Sequence, residues 1–173
     1  MKKVGNNENN TWQTMTVDKI MTNRDEAWMR FALSLAATAA TYDEVPVGAI
    51  VVCRDKIIGS GFNRKETIPC ATGHAEILAI EKASKNLGAW RLSDCELYST
   101  LEPCVMCAGA IQQARISRVI YGAQDPKGGA LGSLYQIHRD PRLNHTIDVT
   151  VGILADEASM MLKHFFKQRR RQR

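Results

Sequence analysis

The pair Cys104 and Cys107, set in the stretch LEPCVMCAGA (101–110), constrains the fold of this chain more tightly than any other feature. Three residues apart on a helix, the two thiols share a face and can aim at one point. Such a pair suits a redox couple, half of a structural zinc knuckle, or two ligands of a catalytic metal. A knuckle takes four protein ligands, commonly from a second C-x-x-C or an H-x-x-x-H pair. The remaining cysteines, Cys53, Cys70 and Cys95, form no second C-x-x-C. Cys53 lies in a strand pattern and reads as a small buried residue. Cys70, four residues before His74, is the best spare ligand.

The periodicity around the pair describes an α/β domain. Residues 1–22 are polar and irregular and are expected to form a disordered N-terminal extension. Asn23 as a cap with Glu26 three residues on opens a first helix, which carries Met29, Leu33, Ala36 and Ala40 on one face. VGAIVVC (47–53) and IIGSGFN (57–63) read as a hairpin joined by the turn RDK. A second helix starts near His74, a third strand covers 96–100, and Pro103 precedes a helix from Cys104 to Ala114. A fourth strand covers 118–122. The glycine-rich segment AQDPKGGALGS (123–133) cannot be regular and is long for a connection, which marks a functional loop. A fifth strand covers 146–152. Asp156 caps a last helix with Ala158, Met161, Leu162 and Phe165 on one face. This order implies a three-layer α/β/α sandwich, a five-stranded mixed sheet flanked by helices, as one domain over 23–173.

The net charge of +5 is concentrated at one end. The tail KQRRRQR (167–173) holds five cations and no acid, so the rest of the chain sums to zero. Such a patch suits a polyanion such as nucleic acid, and equally a helix end, where the dipole favours cations. No run of 18 apolar residues is present, so no membrane span is expected. The start MKKVGNNENN lacks the apolar core of a secretory signal. With an odd number of scattered cysteines, five in all, the chain reads as a protein of a reducing cytoplasm.

His74-Ala75-Glu76 stands thirty residues ahead of the cysteine pair, and together H-x-E…P-C-x-x-C resembles the zinc-deaminase signature. The chemistry agrees with it. His74 and two thiolates give zinc three protein ligands and leave a fourth position for water. Zinc lowers the pKa of that water toward ~7, and Glu76 is the base at hand. Residues i and i+2 lie about 200° apart around a helix, so His74 and Glu76 converge only beyond its N-terminal end. Cys104 opens a helix as well. The metal is therefore expected between two helix N-termini, at the carboxyl end of the strand 96–100.

Longer stretches narrow the resemblance. EVPVGA (44–49), GFNR (61–64), HAEILAI (74–80), TLEPCVMCAGA (100–110), RISRVIYGA (115–123) and FFKQRR (165–170) resemble the bacterial tRNA-specific adenosine deaminases, over roughly residues 23–170. The resemblance implies hydrolysis of a wobble adenosine to inosine, expected in the arginine tRNA with anticodon ACG, with Glu76 moving the protons. It implies one zinc per subunit on His74, Cys104 and Cys107, a homodimer that contacts the anticodon stem-loop across both subunits, and no organic cofactor. Asn63 corresponds to a residue touching the substrate nucleotide, Asp125 and Lys127 to a loop near the RNA, and Phe166, Arg169 and Arg170 to a tRNA-contacting helix end. The chain departs from the family at GAQD (122–125), where GARD is usual, and at Gly73, where alanine is common. His138 reads as a surface residue and His145 as a hydrogen-bonder within a loop. The same signature admits a free-nucleoside or nucleotide deaminase. A non-catalytic zinc RNA-binding module would need Cys70 as a fourth ligand.

Overall fold

Valine and isoleucine dominate GAIVVC, which forms β1 (Gly48–Cys53) and turns back at Arg54 and Asp55 into β2 (Lys56–Phe62). Both turn residues have positive φ, 49° and 57°, as a two-residue type I′ hairpin requires. The computed structural model describes the backbone of residues 9–171 and the side chains of 23–171. Around the hairpin stand α1 (Asn9–Thr41), α2 (Ala75–Leu87), β3 (Cys95–Leu101), α3 (Val105–Gln113), β4 (Arg118–Ala123), β5 (Asp148–Val151) and α4 (Ala155–Arg171). The sheet order is β2-β1-β3-β4-β5. β1 runs antiparallel to β2 and β3, whereas β3, β4 and β5 are parallel. The parallel β3–β4 pair is joined through α3, the crossover that parallel strands need.

Successive strand residues point to opposite faces, and β1 feeds two cores in this way. Ala49 and Val51 join Ala75 and Ala79 of α2 and Ala108 and Ile111 of α3. Ile50 and Val52 join Met29, Ala32 and Leu33 of α1 and Ala158 of α4. The expected sandwich of a five-stranded mixed sheet between helices is the observed one. Among the described residues, no helix is long and apolar enough to cross a membrane.

Three expectations need correction. α1 begins at Asn9, so Asn23 and Glu26 lie inside the helix and cap nothing, and residues 9–22 of the expected disordered extension are helical. No glycine or proline occurs between positions 6 and 45 to stop helix propagation. Residues 1–8 of that extension lie outside the described residues. Asp156 stands in the first turn of α4 rather than before it, where its charge still favours the helix N-terminus. On α1 the core-facing position is Ala39, and Ala40 is exposed.

Two packing features fix α1 and α2. Asp25 of α1 is buried and accepts a hydrogen bond from the Tyr98 hydroxyl at 2.8 Å. It also pairs with Arg118 at 2.6 Å, and Arg118 reaches on to Glu96 at 3.1 Å. α2 lies directly on β2. A Cβ at Gly61 would stand 2.4 Å from the carbonyl oxygen of Ala75, the residue between His74 and Glu76. Gly61→Ala is therefore expected to push α2 off the sheet and cost about 1–3 kcal/mol. The urea midpoint checks this; an unchanged midpoint would mean that the contact does not seat the helix.

Candidate functional site

His74 is the N-cap of α2 and Cys104 the N-cap of α3. Both have extended backbones, and neither side chain caps its own helix. A serine or aspartate at these positions would fold back onto a helix N–H; histidine and cysteine leave their ligating atoms free. Cys107, one turn into α3, is buried. Nδ1 of His74 lies 3.7 Å from Sγ of Cys104 and 3.6 Å from Sγ of Cys107. The three ligating atoms lie within 4.8 Å of one another. A tetrahedral zinc ion with standard Zn–N and Zn–S lengths would hold nitrogen and sulfur about 3.5 Å apart, so the trio has the spacing that such an ion needs. Among the described residues no other histidine, cysteine or acid joins the group. Cys70 is turned to Thr72, with Sγ 3.2 Å from the hydroxyl.

The electrostatics favour a thiolate at Cys104, with the Cys107 thiol as its donor. A hydrogen bond from the Cys107 thiol brings Cys104 down to about 3, against burial and with help from His74. That same bond, together with burial, pushes Cys107 up. His74 is raised, chiefly by its hydrogen bond to Cys104. Two helix N-termini add their positive ends at the same point.

Glu76 is 4% exposed and shares a cavity of about 210 Å³ with His74 and Cys104. Burial raises its carboxyl pKa above the ordinary value. Asn63 and Asp125 line the same cavity. The Asn63 amide donates to Oε2 of Glu44 at 3.0 Å. A carboxylate only accepts, so Oδ1 of Asn63 is left for another donor. A second cavity of about 320 Å³ shares Asn63 and Lys65 with the first and is walled by Phe166, Arg169 and Arg170 of α4. Phe165 is the core residue of that helix end, and Phe166 is 45% exposed. Arg169 is already engaged: it donates to the carbonyl of Asp43 at 2.7 Å and pairs with its carboxylate at 3.2 Å. Lys127 is exposed and lines neither cavity.

Two site residues had no signal of their own in the sequence reading. Glu44 is fully buried and accepts hydrogen bonds from the amides of Glu66 and Thr67 at 2.8 and 2.7 Å, besides Asn63. Glu102 is 2% exposed and accepts from the amides of Asp125, Leu131 and Ser133 at 3.0, 3.1 and 2.9 Å and from the Ser133 hydroxyl. Burial opposes its charge, yet these donors hold its pKa below the ordinary carboxylate value. The signal that could have found both is an acid flanking an apolar strand, in EVPVGA and TLEPC, where a solvated side chain has no place. His138 is buried rather than on the surface, because the short 3₁₀ turn Ile137–Arg139 folds it inward. His145 bonds the carbonyl of Ile116 at 2.7 Å, as expected of a loop hydrogen-bonder.

Comparison with known proteins gives consistent results. The family described as MafB19-like deaminase matches residues 23–170. The tRNA-specific adenosine deaminase of Haemophilus influenzae is 45% identical over 160 residues, 92% of each chain. A solved structure from work on A-to-I editing by tRNA:A34 deaminases at the wobble position superposes with a TM-score of 0.76 and 44% identity, over 79% of this chain and 99% of that one. The guanine deaminase of Nitrosomonas europaea superposes with a TM-score of 0.68 and 32% identity, over 81% of this chain and 83% of that one.

The separation of Cys70 from the cluster has a direct consequence. Cys70→Ser is expected to leave metal stoichiometry unchanged, and Cys107→Ser to abolish tight binding, both read by elemental analysis after dialysis. A loss of metal in Cys70→Ser would make Cys70 a ligand.

Proposed function

The chain belongs to the deaminase family of the tRNA-specific adenosine deaminases, and on that premise we propose that it hydrolyses the wobble adenosine of a tRNA anticodon to inosine, with release of ammonia. One observation carries the chemistry: a buried carboxyl, Glu76, opens into the same cavity as a cluster of one imidazole and two thiols that, among the described residues, no fourth histidine, cysteine or acid joins. His74, Cys104 and Cys107 would hold zinc, whose borderline-soft character matches nitrogen and sulfur donors. When bound, zinc supplies Lewis acidity, which makes water nucleophilic near neutral pH.

Glu76 moves the protons. Its carboxylate takes one proton from the attacking water and gives it to N1 of adenine, then takes the second from the new C6 hydroxyl and gives it to the departing amine. The C6–O bond forms, the C6–N6 bond breaks, and ammonia leaves. A carboxyl raised by burial suits a group that must both accept and release protons near neutral pH. The free Oδ1 of Asn63 is the group we assign to the substrate nucleotide.

An unpaired loop base can be splayed into such a cavity and read there. Phe166 is exposed at the neighbouring cavity and offers a ring for stacking, while Lys167, Arg170 and Arg171 are free to meet phosphates. Arg169 instead fastens the end of α4 to the turn after α1. Asp125 faces the base from the opposite loop, and Lys127 stands further out. The resemblance of the longer stretches supports the arginine tRNA with anticodon ACG as substrate, a homodimer as the working form, and the cytoplasm as its place. A second reading, a deaminase of free purine bases, is favoured by the likeness to the guanine deaminase.

Zinc-loaded protein is expected to produce inosine in an unmodified arginine tRNA and none from free adenosine; deamination of free guanine with the tRNA untouched would favour the second reading. Glu76→Ala should keep its zinc and lose turnover by roughly 10²–10⁴-fold in single-turnover assays. Removal of residues 167–173 should weaken tRNA binding and flatten its salt dependence, and an equal salt slope would return the tail to a solvated helix end.

A further inference from the structure

We infer that Glu102 is a positioning residue for this reaction, holding the loop 124–133 at a set distance from the metal cluster so that the loop can locate the nucleotide. The inference rests on the reading of the cavity as the adenosine site. Glu102 directly follows β3 and stands two residues before Cys104. Its own amide is bonded to the carbonyl of Ala123 at 2.8 Å, so its backbone belongs to the sheet. The carboxylate therefore shares a rigid frame with a metal ligand.

The loop has no regular structure of its own, and it is gathered on this one side chain. Oε1 accepts from the amides of Leu131 and Ser133, and Oε2 from the amide of Asp125 and the Ser133 hydroxyl. A carboxylate offers about four acceptor directions, and all are used. Glu102 thus has no lone pair left for moving a proton, although it lines the same cavity as Glu76. The loop backbone also closes tightly over it. A Cβ at Gly129 would stand 2.3 Å from the carboxyl carbon, which is why that position is glycine. The amide of Ala130 donates to the carbonyl of Pro103 at 2.9 Å, and Gly129 pairs with Cys104 in an isolated antiparallel bridge. Asp125, fastened at one end of this arrangement, is the loop residue that lines the cavity. Moving the loop moves that wall relative to Glu76 and the cluster.

The test compares wild type, Glu102→Gln, Glu102→Asp and Ser133→Ala, each loaded with zinc. Glu102→Gln keeps the shape but turns one acceptor into a donor that faces N–H groups. It should retain one zinc per chain, raise KM for the tRNA by roughly ten- to a hundredfold with a smaller change in kcat, and speed amide exchange at Asp125, Leu131 and Ser133. Glu102→Asp, which keeps every acceptor, should recover part of the loss. Ser133→Ala removes a single donor from the loop side and should shift KM in the same direction by less, which keeps the test open if the glutamine variant does not fold. Unchanged KM in Glu102→Gln and Ser133→Ala, or a fall confined to kcat, would overturn the inference. If wild type leaves the tRNA unedited, the functional reading falls; amide exchange then judges the tether alone, and unchanged exchange in both variants overturns it.

Discussion

Two helix N-termini abut at the carboxyl end of β3, and the site depends on that contact. His74 and Cys104 are cap residues whose side chains point past the ends of α2 and α3, so an imidazole and a thiol from segments thirty residues apart come within 3.7 Å. Neither helix could reach the other's ligand from its flank, because the H-x-E spacing turns Glu76 far round the axis from His74. The abutment rests in turn on the sheet. α3 leaves directly from β3, and α2 is seated on β2 at Gly61, close enough that its first-turn carbonyl touches the strand. β1 lies between those two strands and sets the distance between the helices.

Loops, not secondary structure, form the walls above the His74, Cys104 and Cys107 cluster, and buried carboxylates hold them. Glu44 collects Asn63 and the loop after β2, and Glu102 collects the loop after β4. A buried charge survives only when its acceptor directions are filled, and hydrogen bonds to a charged partner are the strong kind. Each carboxylate therefore fixes several loop amides at once. On the opposite face of the sheet, the Asp25–Arg118–Glu96 group ties α1 to β3 and β4 by the same logic.

Much of this was legible in the residues. Val/Ile runs bounded by turn residues marked the hairpin of β1 and β2, and RVIYG marked β4. The zinc-deaminase signature and the H-x-E spacing together imply that His74, Cys104 and Cys107 meet beyond two helix N-termini, and the fold brings the three together there. Errors arose where a local pattern met no local obstacle. Asn23 resembles a cap, but nothing in 6–45 breaks a helix, and α1 runs through it from Asn9. His138 has no partner in the signature and reads as a surface residue, yet a short turn buries it. The basic tail gives no sign that Arg169 meets Asp43, which takes it up across 126 positions of chain.

The sequence by itself determined the histidine and cysteine pair at their spacing, the carboxyl beside the histidine and the order of strands and helices, because each of these is written in a short local stretch. Only the tertiary structure decided which acids are buried, which cations are free and what holds the loops. Glu44, Glu102 and Arg169 meet partners 19 to 126 residues away, and a side chain's charge and role depend on the neighbours that folding brings to it.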